Sequence, residues 1–121
     1  MADPTDQAVA TALADRGAPP HIVQGGAAGL IRRWRDFVSQ VEAGYPLGLD
    51  EYRNDLDLRS LIAFVGLASR VQAEDARFRA VLVAPDTAIW SSDAPEAWWT
   101  RGYPGNSGPL LREDLQAEGL L

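Results

Sequence analysis

The run LIRRWRDFVSQVEAGYPLGLDEYRNDLDLRSLIAFVGLA, residues 30–68, decides the fold. In its first part Leu30, Ile31, Trp34, Phe37, Val38 and Val41 recur three and four apart. That spacing gathers them on one side of a helix, with Arg32, Arg33, Arg35, Asp36, Ser39 and Gln40 on the other. Burying the six apolar side chains would contribute on the order of 10 kcal/mol before chain entropy is subtracted. Residues 28–43 are therefore expected to be the main beam of the core. Gly44 stops this helix and Pro46 prevents its resumption. Gly48 is placed to N-cap a second helix whose first turn holds Asp50 and Glu51, where the helix dipole favours negative charge. Tyr52 and Leu56 form an i, i+4 apolar pair, and Leu61, Ile62, Phe64, Val65 and Leu67 continue as a nearly all-round apolar run. Between them lies Asn54-Asp55-Leu56-Asp57. Asx side chains compete with the helical backbone, so a kink or fresh cap is predicted there: two short helices, 49–56 and 58–68, or one bent one.

Outward from this core the signals weaken. Residues 1–17 read as a helix with Asp3 as N-cap and Pro4 in the first helical position. Its apolar face is thin (Val9, Ala12, Leu13), so it is expected to dock loosely. Residues 18–29 read as a linker in which Ile22 and Val23 plug into the core. Gly25, Gly26 and Gly29 match neither the P-loop nor the dinucleotide fingerprint. In residues 69–91, Glu74 and Asp75 start a short helix, with Asp75 and Arg79 as an i, i+4 pair. The β-prone runs 81–83 and 87–90 then flank Ala84-Pro85-Asp86, which points to a small hairpin at 80–90; the alternative continues the helix to Ala84. Residues 91–108 read as loop, with Pro95 and Glu96 opening one turn that carries Trp98 and Trp99. A terminal helix over 109–118 is capped by residues 106–108, opened by Pro109, and turns Leu110, Leu111 and Leu115 inward. The expected fold is mainly α: a single domain over 1–121, a bundle of four to five helices, with a helical core at 28–68 and room for one small β-hairpin.

Composition narrows the chemistry. The chain has no cysteine, which removes disulfides, thiolate catalysis and thiolate metal sites together and fits a reducing cytoplasm. A net charge of −6 makes a generic nucleic-acid binder a poor expectation, because phosphate contacts dominate that affinity. All eleven cationic side chains are arginine, which codon bias in a GC-rich genome explains more simply than selection for bidentate donors at an interface does. Asp3 and Asp6 sit where an export signal would need positive charge. The longest apolar run, 61–68, is far shorter than the roughly 20 residues of a membrane span. A cytoplasmic chain with no membrane, nucleic-acid or cofactor partner is expected.

Three constellations remain. Asp50, Glu51, Asp55 and Asp57 are dense in sequence, and Glu51 and Asp55 share one helical face. Paired carboxylates can hold a divalent cation or do acid–base work, but the calcium-loop spacing is absent, His21 is the only histidine, and Asp55 precedes Arg59 by four residues, as in an ordinary ion pair. Arg32, Arg33 and Arg35 make one basic stripe, read as a solvated face or a dock for the acidic C-terminal part. Trp90, Trp98, Trp99, Tyr103 and Arg101 crowd a Pro- and Gly-rich stretch; Trp, Tyr and Arg are the enriched anchors of protein interfaces.

The run Trp34-x-x-Phe37-Val38-x-x-Val41, then Gly44-Tyr45, then Asp50-Glu51-Tyr52-x-Asn54-Asp55-Leu56-Asp57-x-Arg59 resembles a recurring small bacterial protein family of unassigned function. The similarity covers about residues 28–62, with weaker echoes at Arg77-Phe78 and Trp98-Trp99. It implies a bacterial, cytoplasmic, mostly helical domain.

These observations point to a non-enzymatic protein-interaction module of the immunity-protein or adaptor kind. Trp98, Trp99, Arg101 and Tyr103 are the expected contact residues, and Asp50, Glu51, Asp55 and Asp57 an acidic rim for a basic partner protein. No metal site and no catalytic residue is assigned. The alternative is a small metal-binding or acid–base enzyme using the carboxylates of 50–57 with His21; a self-associating dimer is a third reading.

Overall fold

The structure is a computed structural model that describes residues 5–90 and 97–121. Among them are five α-helices and one two-stranded antiparallel sheet, consistent with the expected helical domain with a small hairpin. Asp3, Pro4, Pro95 and Glu96, to which roles were given above, lie outside the described residues.

Helix α1 (Asp6–Arg16) is capped by Thr5: its backbone is extended and its hydroxyl accepts from the Ala8 amide at 3.1 Å. The thin apolar face suffices because both large members, Val9 and Leu13, are fully buried. Arg16 ties the far end to the helix Leu49–Phe64. Its guanidinium lies 4.9 Å from the Phe64 ring and 4.0 Å from the Asp57 carboxylate.

Helix α2 (Pro20–Ala43) begins eight residues earlier than expected, inside the stretch read as linker. Pro20 sits in its first turn with a pre-set φ, and Ile22 is buried, so the segment has both a nucleus and a reason to dock. Gly26 (φ 60, ψ −155) separates this turn from the main beam in a conformation only glycine takes readily. In the beam, all six apolar side chains of the predicted stripe are buried.

Helix α3 (Leu49–Phe64) is one continuous element, with no non-helical residue at 54–57. The expected break is absent because the Asx carboxylates are engaged elsewhere: Asp55 accepts from the Tyr45 hydroxyl at 2.6 Å, and Asp57 faces Arg16. Neither competes for the backbone. The helix stops at Phe64, short of residue 68, because Gly66 takes φ 80 and the Leu67 amide returns to the Ile62 carbonyl at 2.9 Å. A short 3₁₀ turn, Ala68–Arg70, leads to α4 (Gln72–Val81).

Strand β1 (Leu82–Ala88) runs from the first β-prone run through Pro85-Asp86 into the start of the second. Its partner is β2 (Arg101–Pro104), from the stretch read as loop. Val83 pairs with Tyr103 and Ala88 with Arg101, and the register shifts between them. Helix α5 (Pro109–Ala117) buries Leu111 and Leu115. Leu110, expected inward, is 55% exposed: it precedes Leu111 in the first turn, and the inward stripe passes through 111 and 115. The Asp114 carboxylate accepts from the Leu49 amide at 2.9 Å, so α5 caps α3, where Gly48 has no side chain to do so.

The core is aromatic at its centre. The Phe37 ring lies 5.2 to 5.8 Å from Trp34, Tyr45, Tyr52 and Phe78, in stacked, tilted and edge-on arrangements. No helix among the described residues is long and apolar enough to cross a membrane.

Candidate functional site

One assembly joins three helices to the aromatic segment. Arg59 on α3 is buried, and its guanidinium grips Asp75 on α4 with two nitrogens: Nε to Oδ1 at 3.0 Å and Nη2 to Oδ2 at 3.0 Å. The Trp34 indole on α2 donates to the same Oδ1 at 3.1 Å. Two i, i+4 pairs were expected here, Asp55–Arg59 and Asp75–Arg79. The structure instead joins Arg59 to Asp75 and leaves Asp55 to Tyr45. The buried positions win because a bidentate pair shielded from water is stronger than an exposed one.

The indoles rest on this pair. The Arg59 guanidinium carbon is 4.6 Å from the Trp99 ring and 6.0 Å from Trp98. Trp99 is buried, and its indole N–H donates to the Ser60 hydroxyl at 3.0 Å. A 3₁₀ turn, Trp98–Thr100, sets the two rings edge to face at 5.9 Å. Trp98 is half-buried, packed on Phe78 at 6.0 Å, and Arg79 lies over its ring at 4.0 Å. The four expected contact residues therefore separate. Trp99 belongs to the core, Trp98 and Tyr103 are half-exposed, and Arg101 is exposed.

Arg59 Nη1 and Glu74 Oε2 are buried without a hydrogen-bond partner among the described residues. Arg35 Nε stands 3.9 Å from Glu74 Oε2, an ion pair beyond hydrogen-bond reach. Among the described residues, Arg35 is the one member of the basic stripe that pairs with another element in this way.

The carboxylates of α3 do not form one rim. At about 3.6 residues per turn, Asp50 and Asp57 share one side of the helix and Glu51 and Asp55 another. Asp50 is nearly free in solvent, 3.9 Å from Arg53, and Asp57 faces Arg16. His21 is exposed at the start of α2. Among the described residues no three His, Cys, Asp or Glu side chains gather to hold a metal ion.

Asp55 stands apart. It lines an open depression of about 500 Å³ between α2 and α3, with Leu58 beside it and Arg33, Asp36, Ser39 and Gln40 across from it. Burial pushes its carboxyl above the usual range, and the negative charge of Glu51 adds to this; the Tyr45 hydrogen bond opposes it in part. Burial, reinforced by the Asp55 charge, pushes the Tyr45 hydroxyl up as well, so it stays protonated and donating. Sequence reasoning missed this pair. Tyr45 reads as a turn residue, and only the return of α3 along α2 brings it to Asp55.

No family model matches the chain, and neither a curated protein nor a solved structure matches it.

Proposed function

We propose that the chain is a non-enzymatic protein-interaction module, of the immunity-protein or adaptor kind, that engages a partner protein through Trp98 and the residues around it. One observation carries this reading: a half-exposed indole with a guanidinium 4.0 Å over its face, seated on a buried ion pair. Trp and Arg anchors contribute most when their geometry is fixed before binding, because less side-chain entropy is lost. Phe78, Trp99 and Arg59 fix Trp98 from beneath. Arg101 and Tyr103 extend the same surface along β2. The exposed carboxylates Asp50 and Glu51 contribute charge that steers a basic partner. The lack of cysteine and the family resemblance favour a bacterial cytoplasm as the setting.

The test is affinity capture from the source cells with the wild-type chain and with Trp98→Ala, each first shown to be folded by its unfolding transition. A partner retained by the wild type and lost with Trp98→Ala is expected. Identical partner lists would overturn the reading.

A second reading rests on the Tyr45–Asp55 pair. A carboxyl held above its normal range beside an open depression has the properties of a general acid or base. Here the alternative enzyme would use Asp55 alone of the four carboxylates. Turnover of a substrate by the wild type, lost in Asp55→Asn, would favour it.

A further inference from the structure

Three arginines cluster about Trp98, and they share one carboxylate. Arg59 lies beneath the indole and Arg79 over its ring. Arg101 opens β2 at the end of the 3₁₀ turn that carries Trp98, about 6 Å further along the turn's axis. The carboxylate is Asp75, and Arg59 takes both of its oxygens. Arg79 and Arg101 are exposed, and among the described residues neither has a carboxylate in ion-pair reach. Asp86, exposed on the neighbouring strand β1, pairs with neither. In a chain of net charge −6 this surface carries a local surplus of two positive charges.

The donors left over are held in place. A guanidinium 4.0 Å above a ring is engaged through its face, so the N–H groups of Arg79 project outward from the edge of its plane. The indole fixes Arg79 without consuming its donors. Arg59 turns its Nε–Nη2 edge to Asp75, so Nη1, by the trigonal geometry of the group, projects the opposite way. Arg59 is only 5% exposed, and Nη1 is buried without an acceptor, 6.0 Å or less separating its guanidinium carbon from both indoles. Buried donors are satisfied as a rule, and one left unsatisfied costs stability. The guanidiniums above and beneath Trp98 therefore both keep donors that this chain's own carboxylates do not fill.

We infer that the Trp98 surface receives a carboxylate side chain of the partner protein, held by Arg79 and Arg101, with the apolar residues beside that carboxylate laid on the exposed part of the indole and on Tyr103. This rests on the interaction reading and names the chemistry of the partner's contact segment: an acidic residue flanked by apolar ones. A planar guanidinium fixed by a ring meets a carboxylate with two parallel N–H donors, which a flexible ammonium cannot do. A nucleic acid fits less well, because it draws its affinity from many phosphate contacts and the chain as a whole repels it. Asp50 and Glu51 act separately: they steer the partner's overall charge from a distance, whereas the carboxylate contact is local.

The experiment uses the full chain and a defined probe. The peptide acetyl-Leu-Glu-Leu-amide is titrated into the isotope-labelled protein and followed by two-dimensional NMR, with acetyl-Leu-Gln-Leu-amide as the neutral isostere. Saturable shifts are expected at the Trp98 indole N–H and at the Nε–H signals of Arg79 and Arg101, with a dissociation constant on the order of millimolar for so small a ligand. The glutamine peptide should bind about fivefold or more weakly, and added salt should weaken the glutamate peptide alone. Arg79→Gln and Arg101→Gln alter exposed side chains without ion pairs, so the fold is retained, and each should reduce binding of the glutamate peptide towards that of the glutamine peptide. Equal binding of the two peptides, binding unchanged in both variants, or no saturable shift would each overturn the inference. Binding seen only after Asp93→Asn with Glu96→Gln would assign the arginines to the chain's own carboxylates and overturn it as well. A partner captured through Trp98 and held equally by the Arg79→Gln, Arg101→Gln chain would overturn the carboxylate contact and leave the interaction reading standing. A partner list unchanged by Trp98→Ala would overturn that reading, while the peptide titration still decides this one.

Discussion

Asp75 accepts two guanidinium nitrogens of Arg59 across 16 residues of chain, and both side chains are largely buried. Removing one partner strands the other charge in the interior, which typically costs about 3–5 kcal/mol. Asp75→Ala is therefore expected to lower stability by about that amount and to free the Trp34 indole N–H as well. Arg59→Met with Asp75→Ala should cost less than the sum of the two single changes, because no orphan charge remains. Urea unfolding of the four proteins checks this through the midpoints at constant slope.

That pair also shows where sequence reading stops. Spacing alone offers Asp55 to Arg59 and Asp75 to Arg79, since both are i, i+4 on helices. Burial decides otherwise, and burial depends on how α4 packs against α2 and α3. The helical beam was legible because its six apolar positions follow one period. Residues 20–25 were not: Pro20 and Gly25 read as punctuation, although Pro is at home in a first turn and Ile22 has a pocket to fill. Strand β2 was hidden for a similar reason. Its four residues include Gly102 and Pro104, and only pairing with β1 makes them a strand. Of the candidate site, the residue types at 98–103 were readable, but the division between buried Trp99 and available Trp98 was not. Adjacent side chains diverge, and which one points inward is set by Arg59.

Asp55→Asn should raise stability at neutral pH, by an amount that fades in acid. The folded carboxyl titrates above its ordinary value of 3.8. Below 3.8 both folded and unfolded forms are protonated and the burial penalty is absent. As pH rises from there, the unfolded chain ionises first and the native state loses ground until the folded group has also ionised. Asparagine does not titrate. The stability difference between variant and wild type should thus be smallest at the lowest pH where both fold, grow through the window above 3.8, and then level off. Urea midpoints at a series of pH values check the sign. A gap that widens towards acid would show that the Tyr45 hydrogen bond outweighs desolvation.

The two neighbouring tryptophans should separate cleanly. Trp99→Ala removes a buried ring and leaves the Ser60 hydroxyl and the Arg59 face uncovered, so a loss of about 3–5 kcal/mol is expected. Trp98→Ala removes a half-exposed ring and should cost nearer about 1 kcal/mol. Thermal unfolding ranks them. Only the Trp98 variant is then a fair probe of binding, since the Trp99 variant would lose partner and fold together.

The same substitution at two glycines of α2 should have opposite signs. Gly26 holds φ 60 and ψ −155, a region closed to side chains with a β-carbon, and Gly26→Ala is expected to cost about 1–3 kcal/mol. Crowding is not the cause: the nearest atom to the added carbon, Asp6 Oδ1, is 3.7 Å away. Gly29, three residues on, has an ordinary helical backbone and nothing within 4 Å of an added β-carbon. There Gly29→Ala should gain about 0.4–1 kcal/mol, because alanine loses less freedom on entering a helix. Denaturant unfolding of both variants measures the pair. If Gly26→Ala were neutral, the break between the first turn and the main beam would be dispensable, and residues 20–43 would be free to run as one straight helix.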